Sequence, residues 1–378
     1  MYCAEFAAGR CRSCTEIEQD YSLQLQHKQQ QWLSLLAPFA PEQVLAPYPS
    51  AESAFRTKAK MVVSGCSEHP VLGLLLNTGE AVDLTSCLLY PAAFAPAFAL
   101  VQQFIQRARL QPYQVAERKG ELKFILLSQS SSSGRFMLRF VLRSQNHLAA
   151  IRKHLPWLQQ QWPELELCSV NLQPVAMAQL EGETEILLTE NSYLAERLNQ
   201  VPLYLTPQSF FQTNPAVAAA LYQTAVDWTA DLSLHSVWDL FCGVGGFGLH
   251  LASSRPGIQL TGIEISAAAI ASARKAAAEL ALEQPDFMAL DADAFALAQQ
   301  QAPDLLLVNP PRRGLGSVLC NQLLKLAPEY VLYSSCNPQS LARDLTNLTA
   351  DYQLVKAQLF DMFPHSQHAE VLVLLRKK

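Results

Sequence analysis

The chain has 378 residues, 50% of them hydrophobic and 16% charged, with a formal net charge of −5. It is long enough to bury two or three cores, and its net charge by itself argues against a nucleic-acid partner. No run approaches the ~20 apolar residues that a membrane helix needs, and charges follow the first residues where a signal peptide would be apolar, so we expect a cytoplasmic protein with no membrane partner.

Cysteines are concentrated at the start of the chain. Cys3, Cys11 and Cys14 form a C-x7-C-x2-C pattern, and Cys87 supplies a fourth thiol. Clustered cysteines in a reducing compartment indicate a metal site rather than disulfides. Four thiolates fit either a 4Fe–4S cluster or a tetrahedral zinc ion, and the spacing does not choose between them. We therefore predict a cysteine-rich metal-binding region over residues 1–53.

The next elements are a helix and a separate α+β domain. Apolar positions at helical spacing predict a helix over Ser22–Leu36, which Pro38 and Pro41 would end. The domain is predicted over residues 54–205, where it would contribute Cys87 to the metal site. Alternating and helical patterns place its strands and helices at Lys60–Val63, Ala93–Arg107, Leu122–Leu127, Arg135–Leu142 and Leu148–Gln161.

This central segment is basic although the whole chain is acidic. Residues 54–160 contain 13 Lys or Arg and five Asp or Glu. Such a local excess is typical of a surface that binds nucleic acid, and the alternative is a well-solvated sheet face. We predict that the segment binds RNA.

The region 206–378 alternates short apolar strands with helices. The strands are predicted at Val237–Leu240, Leu260–Ile263, Asp304–Val308 and Tyr330–Tyr333. This order predicts a doubly wound, Rossmann-like α/β domain, in which ligands bind beyond the carboxyl ends of the strands. Three strands end at a polar side chain, namely Glu264, Asn309 and Cys336.

A glycine-rich motif, Asp239–Gly248, follows the first of these strands and opens a helix. Dinucleotide enzymes also use such a turn. Glu264 at the end of the next strand is placed to bind ribose hydroxyls, and Asn309–Pro311 closes the fourth strand, a combination that favours S-adenosylmethionine. The Asn-Pro-Pro run is also found in amino-methyltransferases of nucleic acid, but Arg312 stands where those enzymes carry a stacking aromatic ring, so amino methylation is the alternative.

Carbon methylation of uracil would need a nucleophile and a base. C5 of uracil is too weak a nucleophile to attack a sulfonium methyl group, but addition of a thiolate to C6 produces an enolate that can. Cys336, at a strand end, is the candidate nucleophile, and Glu370, at the start of the last strand, is the candidate base. His365 and His368 are alternatives because their reference pKa values lie nearer neutrality.

Four motifs together resemble those of the RNA 5-methyluridine methyltransferases: Gln208–Pro215, Phe241–Gly243, Ser334–Pro338 and Phe363–Glu370. The resemblance spans nearly the whole chain. It implies a Rossmann-like S-adenosylmethionine-dependent methyltransferase domain.

The resemblance also implies a role for individual residues. It implies that Cys336 attacks the uracil, that Glu370 is the base, and that the methyl donor is bound by Gln212, Phe241, Glu264 and Asn309. Asn309 stands where the family often has aspartate. Asp291 is expected near the adenine.

Within the family, the N-terminal cysteines resemble the ribosomal-RNA branch, whereas the transfer-RNA branch lacks them. This implies a structural 4Fe–4S cluster on Cys3, Cys11, Cys14 and Cys87. The short segment before Cys3 is similar to members that act on uridine 747 of 23S ribosomal RNA, so we expect a monomeric enzyme acting on a loop or hairpin uridine there. The alternatives are a tRNA uracil-C5 methyltransferase and a noncatalytic iron–sulfur RNA-binding factor.

Overall fold

The computed structural model describes residues 1–76, 78–175 and 181–378. The chain forms two compact units. The first contains Met1, Cys14–Glu52 and Arg197–Lys378, and the second contains Tyr2–Ser13 and Ser53–Glu196. The cysteine-rich segment predicted over residues 1–53 is thus divided between the two units.

The helices are numbered in chain order. They are α1 Ala4–Ala7, α2 Tyr21–Leu36, α3 Phe94–Ala108, α4 Leu148–Gln161, α5 Pro215–Thr229, α6 Gly246–Ser253, α7 Ala267–Glu279, α8 Ala292–Ala298, α9 Gly316–Leu326 and α10 Pro338–Leu348, with a short 3-10 helix at Ala37–Phe39.

The strands are numbered in the same way. They are β1 Gln43–Val44, β2 Lys58–Gly65, β3 Pro70–Leu75, β4 Ala81–Asp83, β5 Leu122–Gln129, β6 Phe136–Leu142, β7 Leu165–Leu172, β8 Thr184–Leu187, β9 Leu194–Leu198, β10 Val201–Leu205, β11 Ser236–Leu240, β12 Gln259–Glu264, β13 Asp286–Ala289, β14 Leu305–Val308, β15 Tyr330–Ser335, β16 Tyr352–Phe360 and β17 Glu370–Lys377.

The first unit is built on an eight-stranded sheet in the order β1-β16-β17-β15-β14-β11-β12-β13. Strands β11 to β15 pair in parallel, whereas β17 runs antiparallel between β15 and β16. All four residues of β14 are buried, as expected for a parallel strand that is covered on both faces. The predicted doubly wound α/β fold is confirmed.

The strand order reverses between β11 and β14, and this reversal positions the candidate site. From β11 the chain proceeds outward through β12 and β13 on one side, and returns to β14 and β15 on the other. The loops that leave β11 and β14 therefore diverge and leave a crevice at the carboxyl ends of the strands. A hydrophobic core that includes Leu240, Val308 and Tyr333 holds these strand ends in place.

The second unit contains a seven-stranded sheet in the order β4-β3-β2-β5-β6-β7-β8. All of its pairs are antiparallel except β6 with β7, because α4 connects these two strands as a crossover. Apolar residues of α3 and α4 share one core with residues of the sheet, such as Phe104 with Phe140. The helices and strands predicted in this segment are all present.

The basic residues of the second unit differ in exposure. Arg139 is buried and forms ion pairs with Glu181 and Glu185, so its charge is neutralised internally. The exposed residues are Arg10, Arg12, Lys60, Arg107, Arg109, Arg118, Lys119, Arg135, Arg152 and Lys153. Within the described ranges, no helix combines the length and the apolar character needed to cross a membrane.

Candidate active site

A cavity of about 660 Å³ lies at the carboxyl ends of the parallel strands in the first unit. The turn after β11, the ends of β12 and β14, and the residues that flank β15 and β17 all contribute to its lining. The predicted site residues that line it are Gln212, Phe241, Glu264, Asp291, Asn309, Cys336 and Glu370. Their convergence follows from the strand order described above.

The glycine-rich turn brings backbone to the surface of the cavity. Phe241 and Gly245 have φ angles of 62° and 88°, and the second value favours glycine because a Cβ atom is strained there. Gly246 begins α6, and a Cβ added at Gly246 would lie 2.6 Å from the Tyr222 hydroxyl oxygen. A side chain at this position would therefore collide with the cavity lining, so backbone must form this part of the site.

Glu264 is held by two backbone amides at the end of β12. Its carboxylate accepts hydrogen bonds from the Ser266 amide at 2.9 Å and from the Gly243 amide at 3.3 Å. These bonds fix the carboxylate between the glycine-rich turn and the start of α7. Carboxylates in such a position can accept hydrogen bonds from the hydroxyls of a ribose.

Asp239 also lines the cavity and was not predicted as a site residue. Its Oδ2 atom accepts a hydrogen bond from the Gly248 amide at 2.9 Å, whereas its buried Oδ1 atom has no hydrogen-bond partner among the described residues. Burial raises the pKa of Asp239 to about 7. The only sequence signal for this residue was its place immediately before the glycine-rich turn.

Cys336 follows β15 and is half-buried in the cavity wall. Burial raises the pKa of its thiol, and the nearby Glu370 carboxylate raises it further, whereas the positive charge of Arg312 lowers it. The Arg312 guanidinium is in turn 3.0 Å from the Nδ1 atom of His368. A thiol, a guanidinium, an imidazole and a carboxyl group therefore share one wall.

Glu370 begins β17 and is 2% exposed. Burial raises the pKa of its carboxyl group to about 7, and the hydrogen bond donated by the Ser334 hydroxyl at 2.6 Å opposes this rise. Strands β15 and β17 are antiparallel neighbours, which places this carboxyl group beside the end of the strand that carries Cys336. A carboxyl group with such a pKa can accept a proton near neutral pH.

Helix α2 holds the segment 361–370, which carries His368 and Glu370. The Lys28 ammonium group donates to Asp361 at 2.6 Å and to the Phe363 carbonyl at 3.0 Å. Lys28 and Asp361 are both buried, with side chains 3% and 0% exposed. The hydroxyl of Tyr21 also donates to Asp361, at 2.8 Å. This buried network ties the start of the segment 361–370 to α2.

His365 serves the same network and does not line the cavity. Its backbone amide donates to the Gln24 side chain at 2.9 Å, and its Nε2 atom lies 2.7 Å from the Glu52 carbonyl oxygen. Its Nδ1 atom lies 3.2 Å from the Gln24 amide nitrogen. Both ring nitrogens are therefore used in structural contacts, which leaves His368 as the histidine that faces the cavity.

The cysteines predicted to bind metal lie partly in each unit. Cys3, Cys11 and Cys87 belong to the second unit and are half-buried free thiols. Burial raises the pKa of the Cys87 thiol, and the nearby Cys3 and Cys11 raise it further. Cys14 belongs to the first unit. The described residues include no group of three or more Cys, His, Asp or Glu arranged to hold a metal ion, so the predicted cluster is not confirmed.

The strand order, the antiparallel β17 and a cavity at the switch point define the fold of an S-adenosylmethionine-dependent methyltransferase. The sequence signature of the tRNA (uracil-5-)-methyltransferase family matches residues 20–378. The chain belongs to this family, and the predicted resemblance is confirmed.

Individual relatives are similar in sequence over the whole chain. The 23S rRNA (uracil(747)-C(5))-methyltransferase RlmC of Pectobacterium atrosepticum is 58% identical over 100% of both chains. The protein of the same name from Yersinia pestis is 57% identical over 99% of both chains. Among solved structures, the Pyrococcus abyssi tRNA (uracil-54, C5)-methyltransferase in complex with S-adenosyl-L-homocysteine has a TM-score of 0.80 at 24% identity, covering 96% of this chain and 85% of that one.

Proposed function

We propose that this protein transfers a methyl group from S-adenosylmethionine to C5 of uridine 747 in 23S ribosomal RNA. The family description names tRNA, but the relatives that are 57–58% identical over the full length are named for this ribosomal position. The observation that carries the proposal is the cavity that brings Cys336 and Glu370 together with the glycine-rich turn.

The methyl donor is bound by the glycine-rich turn and the polar ends of the strands. Glu264, already oriented by two amides, accepts hydrogen bonds from the ribose. Phe241, Asn309 and the buried Gln212 line the same cavity and hold the rest of the donor against the incoming base. Asp291 also lines the cavity and would contact the adenine. The side-chain amide of Asn309 offers both a donor and an acceptor, so it can bind groups that an aspartate would repel.

The chemistry proceeds through a covalent bond to the uracil. The Cys336 thiolate adds to C6, and the resulting enolate attacks the methyl group through C5, which releases the donor as its thioether. The Glu370 carboxylate then removes the C5 proton, and the C6–sulfur bond breaks to return the thiolate and the 5-methyluridine. A pKa of about 7 for Glu370 suits this proton transfer because the ionised form is present at neutral pH.

The second unit supplies the RNA-binding surface. Ten of its basic side chains are exposed and can contact phosphates, which provide most of the affinity for RNA. C5 of a stacked base is inaccessible, so the target uridine must leave its stack, and this costs less in a loop or hairpin than in a duplex. We propose that the enzyme acts as a monomer in the cytoplasm.

We also propose that Cys3, Cys11, Cys14 and Cys87 hold a 4Fe–4S cluster with a structural role. The support is the C-x7-C-x2-C spacing, together with the closeness of Cys3 and Cys11 to Cys87. Bound iron would lower the thiol pKa values and tie the N-terminal residues to the second unit. Anaerobic purification followed by absorption spectroscopy and iron analysis tests this directly, with four iron atoms per chain expected and a zinc-only protein refuting it.

Covalent trapping tests the main proposal. RNA that spans the target hairpin and contains 5-fluorouracil should form an adduct with the protein and radiolabelled donor, because fluorine at C5 cannot be removed as a proton. Cys336→Ala should form none. On ordinary RNA, Glu370→Gln should accumulate the methylated adduct, because loss of the C5 proton is blocked. Methyl transfer that persists in Cys336→Ala would refute the mechanism and favour amino methylation.

A further inference from the structure

Arg312 occupies a central position in the cavity wall that carries the thiol. Its side chain lines the cavity together with Cys336, its positive charge lowers the pKa of that thiol, and its Nη2 atom is 3.0 Å from Nδ1 of His368. Its carbonyl oxygen accepts a hydrogen bond from the Asn337 side chain at 2.7 Å. Asn337 follows Cys336 in the chain, so the backbone of Arg312 is tied to the segment that bears the thiol, while its side chain contacts His368.

The contact with His368 fixes the state of the imidazole. A guanidinium group only donates hydrogen bonds, so Nδ1 of His368 must accept and the ring must be neutral. Burial, Arg312 and Lys28 all lower the pKa of His368, which keeps the ring in this accepting form at neutral pH. His368 therefore holds the guanidinium in place by a hydrogen bond and adds no charge of its own.

The thiol needs such a partner because its other surroundings disfavour the thiolate. Burial and the negative charge of Glu370 both oppose ionisation of Cys336, whereas only the thiolate is an effective nucleophile. We propose that the Arg312 guanidinium stabilises the Cys336 thiolate and that His368 is a positioning residue that holds Arg312 in place for this purpose. The proposal rests on the proposed role of Cys336 as the nucleophile.

The charges of Arg312 and Glu370 act on the sulfur at different stages of the reaction. When the thiol ionises, its proton leaves to solvent and the new negative charge lies beside the fixed cation of Arg312. Glu370 opposes the same charge while it is ionised, but it becomes neutral when it takes the C5 proton, so it no longer opposes the thiolate that leaves C6. Arg312 thus stabilises the thiolate both before attack and at release, whereas Glu370 opposes it only until the proton transfer.

Alkylation of Cys336 measures this effect without RNA or methyl donor. In the reaction with iodoacetamide the thiolate displaces iodide, so the rate follows the thiolate fraction. Trypsin releases residues 326–343 as one peptide in which Cys336 is the only cysteine. Mass spectrometry of this peptide, after timed alkylation at a series of pH values, gives the titration midpoint of this thiol in the full-length protein.

Arg312→Gln should raise the midpoint, and at a pH below both midpoints the alkylation should slow by about tenfold for each unit of the rise. Arg312→Lys should retain part of the effect because it keeps the charge but loses the planar fork. His368→Leu should shift the midpoint in the same direction by less. Glu370→Gln should shift it downward, and Arg313→Gln, at the neighbouring arginine, should leave the midpoint unchanged.

An unchanged midpoint in folded Arg312→Gln, with a melting curve like that of the wild type, would overturn the proposal. If that variant does not fold, the His368→Leu titration decides, and an unchanged midpoint there refutes the positioning role. The outcome is separable from the proposed function, since that function fails if Cys336→Ala still methylates RNA, whatever the thiol titration shows.

Discussion

Two walls of the cavity in the first unit are constructed in different ways. The glycine wall, made of Phe241–Gly246 and Glu264, is held by backbone amides that lie within 21 residues of their partner. The thiol wall, made of Arg312, Cys336, His368 and Glu370, depends on contacts between residues far apart in sequence. Arg312 and His368 are 56 residues apart, and the Lys28–Asp361 pair that supports their segment spans 333 residues.

This difference separates local from long-range determinants of one active site. The glycine wall forms wherever a strand, a tight turn and a helix follow one another, so it tolerates change elsewhere. The thiol wall requires the antiparallel insertion of β17 and a buried charge pair. We therefore expect distant substitutions to impair the thiol wall before they impair binding of the methyl donor.

The largest effect should come from removing the nucleophile while leaving the glycine wall intact. Cys336→Ala should reduce methyl transfer by more than about 10³-fold, because no other group in the thiol wall can add to C6. The affinity for the methyl donor should change little. Single-turnover methylation and calorimetric titration with the donor measure the two properties, and a parallel loss of donor binding would show that the two walls are not independent.

Removing Lys28 should destabilise the segment 361–370, which carries His368 and Glu370 of the thiol wall. Lys28→Met leaves the Asp361 carboxylate buried without its ion-pair partner, which typically costs about 3–5 kcal/mol of unfolding free energy. Urea denaturation measures this cost. The exposed Lys325 offers a matched control, since Lys325→Met should change stability by no more than about 0.5 kcal/mol.

A double variant sharpens the same test. Adding Asp361→Asn to Lys28→Met removes the stranded charge while keeping an acceptor for Tyr21, so it should recover part of the lost stability. Equal stability of the single and double variants would show that the charge pair is not what secures the segment.

The buried Glu370 carboxylate should lower the free energy of unfolding at high pH, where it is ionised. Its pKa is raised from 4.5 to about 7, so the folded state favours the protonated form and loses stability as the pH rises from about 4.5 through 7. Glu370→Gln should therefore stabilise the protein at pH 8 by up to about 3 kcal/mol. The gain should vanish near pH 4.5. Chemical denaturation at the two pH values measures it, and a gain independent of pH would contradict this origin.

The smallest effect should come from the glycine wall. Glu264→Gln removes the negative charge that strengthens hydrogen bonds from the ribose, which should weaken donor binding by about tenfold. The alkylation rate of Cys336 should not change. A change in thiol reactivity of the same size would mean that the two walls are electrostatically coupled.

Much of this architecture was predictable because its signals are local. The helix predicted over Ser22–Leu36 forms over Tyr21–Leu36, and the predicted strands in the parallel sheet all appear within one or two residues. Glu264, Asn309 and Cys336 were expected to meet because parallel strands end at one edge, and all three line the cavity.

Other features had no local signal. Nothing near Lys28 in the sequence indicates that it pairs with Asp361, because only the tertiary fold brings the two together. His365 was an alternative base by its reference pKa, but its ring contacts Gln24 and Glu52. The ionisation of Asp239 likewise depends on burial that no motif encodes.

The short strand β1 has a consequence for truncated forms of the protein. Gln43 and Val44 pair in parallel with Lys356 and Ala357 of β16, which would otherwise be the outermost strand of the sheet. An uncovered edge strand offers unpaired amides and carbonyls to other chains and promotes aggregation. A fragment that starts after residue 50 would keep every cavity residue yet expose this edge, so we expect it to self-associate.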